Sequence, residues 1–168
     1  MKQLTLLRHA KSVQDPKYVV DRDRPLAERG RGDAEAIGRF LAQAEIVPDL
    51  IASSPATRAR QTAELLARTA GYEAGIRWDE AVYAAGPDAL LAVVRGLPDQ
   101  ASHALMVGHN PGFEELAALL IGTDCGVTLP TAAAVHFEID VERWSEVCAG
   151  AGRLQWLVTP KILRKTAG

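Results

Sequence analysis

Cysteine is scarce in this 168-residue chain: Cys125 and Cys148 stand far apart and form no CxxC spacing. That argues against a disulfide scaffold and against a structural zinc site, and it fits a reducing compartment. No segment approaches the roughly 20 apolar residues needed to span a bilayer. The opening Met1-Lys2-Gln3-Leu4-Thr5-Leu6-Leu7-Arg8 holds too short an apolar run for a signal peptide, and charge interrupts it at once. The expected location is the cytoplasm. The net charge of -2 supplies no global basic field for nucleic acid or an anionic membrane. Trp78, Trp144 and Trp156 are too scattered to build a stacking platform for bases. There is no internal repeat and no low-complexity tract. Hydrophobic residues make up 48% and charged residues 24%, the balance of an ordinary globular protein, and the length favours one domain with a real core.

The hydrophobic pattern alternates between strands and helices. Leu4–Leu7 reads as a short buried strand that stops at Arg8-His9. Residues 13–25, polar and punctuated by Pro16 and Pro25, read as a loop. Helical spacing of apolar residues predicts a helix over 26–44, ended by Pro48. Leu50–Ala52 is a second strand, followed by Ser53-Ser54-Pro55. Thr57 opens a helix through Ala70, with Gly71 as its stop. Residues 76–78 form a third strand ending at Asp79-Glu80, and Pro87 starts a helix to about Gly96. Ala104–Val107 is a strand ending at Gly108-His109, and Pro111 starts another helix. Ala133–Ile139 and Leu154–Val158 alternate as strands, with 140–153 linking them. The expectation is an α/β fold: a single three-layer domain with helices on both faces of a central, mostly parallel sheet.

The reactive residues fall at strand ends. Arg8-His9, Ser53-Ser54, Asp79-Glu80 and Gly108-His109 each follow a predicted strand, and open α/β sheets bind ligands outside the carboxyl ends of their strands. Arg8, His9, Arg58 and His109 together suit a dianionic phosphoryl group. Arginine's planar fork binds phosphate oxygens bidentately and stays charged. A neutral imidazole can attack phosphorus and form a phosphohistidine, which splits a hard hydrolysis into two easier steps. The surrounding cations favour the charge spread over the equatorial oxygens in the transition state. No carboxylate-rich cluster calls for a metal, so no cofactor is expected. The start of the 57–70 helix favours Arg58 over Arg60 as an anion ligand. Lys11, the two cysteines, His103 and His136 read as solvated or structural residues.

Four segments carry a resemblance. Leu7-Arg8-His9-Ala10-Lys11-Ser12 resembles the Arg-His-Gly signature of the histidine phosphatase superfamily, which includes the phosphoglycerate mutases. Ser53-Ser54-Pro55-Ala56-Thr57-Arg58-Ala59-Arg60-Gln61-Thr62-Ala63 resembles its second arginine motif. Val107-Gly108-His109-Asn110-Pro111-Gly112 resembles its second histidine motif, and Arg24-Pro25-Leu26-Ala27-Glu28-Arg29-Gly30 matches the loop into its first helix. All four occur in the family's order and together cover most of the chain, and the short length is most similar to the SixA-type branch of phosphohistidine phosphatases. The resemblance implies a phosphoglycerate mutase-like fold over residues 1–168. Ala10 replaces the signature glycine, a change tolerated if the backbone there avoids positive φ.

By position, the resemblance implies His9 as nucleophile, Arg8 and Arg58 as phosphate clamps, and His109 as the second histidine on the transferring group. His9 must be neutral at its attacking nitrogen, so a backbone carbonyl is expected to hold its other N–H. Glu80 matches an acidic proton donor, with Asp79 as its competitor. Ser12, Arg22 and Arg24 are candidate substrate contacts around the pocket mouth. The implied activity is metal-independent phosphate release through a phosphohistidine intermediate, with protein phosphohistidine as the preferred substrate. A sugar or nucleotide phosphomonoesterase and a catalytically weak phosphate-binding module are the alternatives. A mutase is disfavoured by the short chain. No nucleic-acid or membrane partner is expected, and oligomeric state is left open.

Overall fold

In the computed structural model, which describes residues 1–122 and 126–166, the chain folds around a six-stranded sheet of order β3-β2-β4-β1-β5-β6. The strands are β1 (Lys2–Arg8), β2 (Leu50–Ser53), β3 (Arg77–Trp78), β4 (His103–Gly108), β5 (Ala134–Ile139) and β6 (Gly152–Val158). β1, β2, β3 and β4 run parallel, whereas β5 pairs antiparallel with both β1 and β6. The helices are α1 (Glu28–Gln43), α2 (Thr57–Ala70), α3 (Pro87–Arg95), α4 (Gly112–Ile121) and α5 (Pro160–Thr166).

Period-two alternation divides the sheet's side chains between two cores. Leu4, Leu6, Met106 and Phe137 pack with Leu90 and Val94 of α3 and with Phe113 and Leu116 of α4. Leu7, Ile51, Leu105 and Val107 pack on the other face with Ile37 and Leu41 of α1 and with Ala63 and Leu66 of α2. Strands covered on both faces need near-continuous apolar runs, which explains the Leu-rich β1, broken only at Thr5, and the buried β4. One polar group interrupts the second core. Thr5 Oγ1 lies 2.8 Å from His103 Nε2 and 2.8 Å from His136 Nδ1, and His136 stacks on Trp156 at 4.9 Å. With one proton to donate and lone pairs to accept, the hydroxyl satisfies both imidazoles. This gives His103 and His136 the structural role expected of them.

Some boundaries differ from those expected. α1 starts at Glu28 because Leu26 is held in an isolated bridge with Ser12 and donates its N–H to Gln61 Oε1 at 2.8 Å. Residues 13–25 contain a 3-10 turn at Asp21–Asp23, and α5 has no counterpart among the expected elements. The 140–153 segment is more than a link: a 3-10 turn there buries Trp144 fully, with its indole N–H donating to the Ala101 carbonyl at 2.9 Å. Cys148 is free and exposed, and Cys125 lies outside the described residues. Among the described residues no helix is long and apolar enough to cross a membrane.

Candidate active site

Strand register assembles the site. Arg8 of β1 pairs with Gly108 of β4, so His9 and His109 leave neighbouring parallel strands side by side, and the His9 N–H donates to the Gly108 carbonyl at 2.9 Å. Ser53 of β2 pairs with Val107 and with Trp78 of β3, which places Ser54 and Asp79-Glu80 on the same rim. The two imidazole centroids are 5.1 Å apart. A methyl at Gly108 would lie 2.5 Å from the Phe113 ring, so glycine lets α4 pack directly beneath His109.

His9 is buried, and its Nδ1 lies 2.8 Å from the Ala10 carbonyl, which makes Nδ1 the protonated nitrogen. Nε2 is then a free lone pair, and it accepts from Arg58 Nε at 3.2 Å. The carbonyl expected to hold the other N–H is therefore that of Ala10. Burial is the main force pulling the His9 pKa down to about 4. The Ala10 carbonyl opposes this, and the charges of Arg58, Arg8 and Arg24 reinforce it. His109 is pulled to about 3, first by burial and then by His9 and Arg58. Its Nδ1 lies 3.4 Å from Arg58 Nη2 and its Nε2 lies 2.8 Å from Ser54 Oγ. Because a guanidinium only donates, the neutral ring accepts at Nδ1 and donates from Nε2 to Ser54.

Arg58 is buried in the first turn of α2, and Thr62 fixes it relative to His9. The Thr62 hydroxyl donates to the Arg58 carbonyl at 2.7 Å and accepts the Ala10 N–H at 3.0 Å. Arg8 donates from Nη1 to the Leu129 carbonyl at 2.9 Å, an acceptor shared with Asn110 Nδ2. Burial lowers the Arg8 pKa, with Glu114 opposing. Among the described residues, Arg8 Nε is buried and has no hydrogen-bond partner. Ala10 is fully buried and is absent from the positive-φ residues Glu45, Ala84 and Ala132, so an alanine is accommodated where the signature has glycine.

Structure brings Arg8, His9, Arg58 and His109 into one cluster. Glu80 sits at its edge, exposed, with its carboxylate 2.5 Å from Arg22 Nη2. Arg22 also covers the Tyr83 ring at 5.3 Å, and that ring meets His109 edge-on at 5.5 Å. Asp79 is occupied elsewhere: its carboxylate caps the following 3-10 turn through the Ala81 N–H and pairs with Arg77. Ser12 is buried and accepts from Arg24 Nη1 at 3.1 Å. Arg60 pairs with Glu64 and lies over Trp78, away from the cluster.

Four participants were absent from the sequence-based list. Asp21 is hidden in the charge alternation Asp21-Arg22-Asp23-Arg24. Tyr83 carries no local signal, and Thr62 stands within the second arginine motif without a role of its own there. Ser54 was visible only as a strand-end residue. Among the described residues, no three His, Cys, Asp or Glu side chains group so as to hold a metal ion.

The comparisons with known proteins agree with this geometry. Residues 4–81 match the histidine phosphatase superfamily, branch 1. An uncharacterised protein of Mycobacterium tuberculosis is 34% identical over 92% of this chain and 100% of its own length. An uncharacterised chloroplastic protein of Arabidopsis thaliana is 33% identical over 95% of this chain and 78% of its own. Among solved structures, the protein histidine phosphatase SixA complexed with tungstate shares the fold, with a TM-score of 0.84 at 20% identity over 96% of this chain and 99% of that one. A protein designated SixA from Agrobacterium tumefaciens has a TM-score of 0.78 at 28% identity, over 95% of this chain and 99% of that one.

Proposed function

The chain belongs to the histidine phosphatase superfamily and is a phosphatase, and from that premise we propose that it hydrolyses protein phosphohistidine, without a metal, through a phospho-His9 intermediate. The observation that carries this is the protonation pattern of His9. Its Nδ1–H is committed to the Ala10 carbonyl, and its Nε2 lone pair lies in the cationic cluster. A pKa of about 4 keeps that lone pair available at neutral pH.

In the first step Nε2 attacks phosphorus while the bond from phosphorus to the substrate imidazole nitrogen breaks, and the substrate ring, protonated on its other nitrogen, leaves as neutral imidazole. Arg8 and Arg58 take the equatorial oxygens, and the unpartnered Arg8 Nε supplies one such donor. His109 accepts a hydrogen bond at Nδ1 when neutral. A dianion beside it raises its proton affinity and turns Nδ1 into a donor to the phosphoryl group. In the second step water attacks phospho-His9, releases inorganic phosphate and restores the imidazole.

An exposed apolar collar supports a protein substrate. Val19 and Val20 are 92% and 54% exposed and immediately precede Asp21, which touches Arg58. A phosphoramidate leaves as imidazole, whose protonation near a pKa of about 6.5 demands little of a general acid. Glu80 at the mouth favours a second substrate class, small phosphomonoesters, whose alkoxide leaving groups need a proton. The scarcity of cysteine supports action in the cytoplasm.

Purified protein is to be mixed with a phosphohistidine-bearing protein and with a panel of monoesters in EDTA, with His9→Ala as control. Fast His9-dependent release from phosphohistidine is the expected result. Release from one monoester instead moves the substrate to small molecules. EDTA-sensitive release refutes the metal-free chemistry, and release that survives His9→Ala refutes the intermediate.

A further inference from the structure

Arg58, the central guanidinium of the cluster, already holds an anion. Its Nη1 donates to the Asp21 carbonyl at 2.8 Å and its Nη2 to the Asp21 carboxylate at 2.9 Å, while Nε serves His9. The other oxygen of that carboxylate accepts from Arg24 Nε at 2.9 Å and Nη2 at 2.6 Å. One carboxylate thus bridges two guanidinium groups, as a tetrahedral oxyanion would. The Asp21 backbone carbonyl takes a donor on Nη1 and its carboxylate takes one on Nη2, so an oxyanion approaching the Nη edge of Arg58 competes with that carboxylate. The contact is not buried scaffolding, since the Asp21 side chain is 57% exposed against 7% for Arg58. Burial pushes the Asp21 pKa up, but the contacts from Arg24 and Arg58 outweigh it, so the group is a full anion at neutral pH. The 3-10 turn that carries it is tied on its other side, where Arg22 meets Glu80 and Tyr83.

We propose that Asp21 is a resident counter-ion of the phosphate clamp, which substrate must displace from Arg58 and which returns to drive out inorganic phosphate at the end of each turnover. This rests on the phosphatase reading of the same cluster. Asp21 acts through Arg58 and touches no reacting atom, so it is a positioning residue. Its function is to prevent tight product binding: a pocket with two arginines and no internal anion would retain the dianion it has just made. An anion tethered beside the clamp competes at high effective concentration without diffusing away.

The experiment is calorimetric titration of inorganic phosphate at pH 8 into the wild type, Asp21→Asn, Asp21→Ala and Asp23→Asn. Asp23 lies two residues away, is exposed and carries the same charge, so its variant reports the general field alone. Both Asp21 variants are expected to bind phosphate about two- to fivefold more tightly, the upper part of the range for releasing an exposed ion pair, and Asp23→Asn less than about 1.5-fold. Turnover should show the same split: a lower KM and a lower inhibition constant for phosphate, with kcat reduced as product release slows. If Asp21 instead serves to preorganise Arg58 for substrate, its variants will bind phosphate more weakly, and the proposal fails. Equal tightening in Asp23→Asn also overturns it. A wild type that binds no phosphate overturns the phosphatase reading and this proposal together; a wild type that binds, with Asp21 variants that gain nothing, overturns this proposal alone.

Discussion

Acidification is expected to unfold this protein through its histidines. All four, His9, His103, His109 and His136, are buried. Burial is the largest cause of a lowered pKa in each: about 4 for His9 and His103, about 3 for His109, and a downward shift for His136. In the unfolded chain all four return to about 6.5. Between pH 6.5 and 4 the unfolded state therefore binds protons that the native state refuses. Stability from this source is complete above about pH 6.5 and is lost as pH falls toward the folded values. For His103 the gap between 6.5 and about 4 corresponds to roughly 3 kcal/mol, and His9 has a similar gap. These two alone remove about 6 kcal/mol, comparable with the lower end of ordinary domain stability. The assay is urea unfolding followed by circular dichroism, in steps from pH 7.5 to 4.5. Between pH 6 and 5 His9, His103 and His109 are each expected to add about 1.4 kcal/mol per pH unit to the slope. His103→Gln keeps an amide within reach of Thr5 and should remove about one histidine's share of that slope. Stability that stays flat from pH 6.5 to 5, or an unchanged slope in His103→Gln, would refute the reasoning.

Two further outcomes follow from the site. Glu80→Gln is expected to slow phosphomonoester release about 100-fold, the weight of a general acid, while changing phosphohistidine release only a few-fold. Equal loss on both substrates, or none on either, would remove Glu80 from the chemistry. Thr62→Val leaves the Ala10 N–H without its acceptor and frees the Arg58 carbonyl, at a cost of about 1–3 kcal/mol. Because the hydroxyl sets His9 against Arg58, kcat should fall as well, whereas Thr62→Ser should recover both; a variant that loses stability at unchanged kcat shows a purely structural threonine.

The strand-end histidines were legible because two local signals coincided: an apolar run that a sheet must bury, and reactive residues where the run stops. Parallel pairing then does the rest, since register alone puts Arg8 opposite Gly108 and Ser53 opposite Val107. Arg58 was legible for the same reason, as a cation in the first turn after a strand. Asp21 was not. Its neighbours alternate in charge, and nothing local shows which carboxylate turns inward; that depends on where the 13–25 segment crosses the sheet's rim. The burial of Trp144 was not legible because a lone indole in a polar stretch gains its partner, the Ala101 carbonyl, only through tertiary packing. α1 began two residues late because Leu26 has tertiary bonds to Ser12 and Gln61, which outweigh its helical spacing.

Arg58 links the two requirements that a histidine phosphatase must reconcile. A nucleophilic imidazole has to be neutral, and a phosphate clamp has to be cationic. On the mechanism proposed above one guanidinium serves both, donating to His9 Nε2 and lying against His109 Nδ1. Its charge helps to depress both histidine pKa values, although burial contributes more. An arriving dianion neutralises that field, so substrate binding raises the proton affinity of His109 at the moment a donor to the phosphoryl group is needed. On the proposed mechanism His9 escapes the same rise in effect, because attack on phosphorus would consume the Nε2 lone pair that a proton would take. The asymmetry comes from the far-side partners: the Ala10 carbonyl can only accept and commits His9 to one tautomer, whereas the Ser54 hydroxyl behind His109 can donate or accept and so tolerates either state of Nδ1. Two chemically identical side chains 5.1 Å apart are thereby given different work by the one hydrogen bond each makes on its far side.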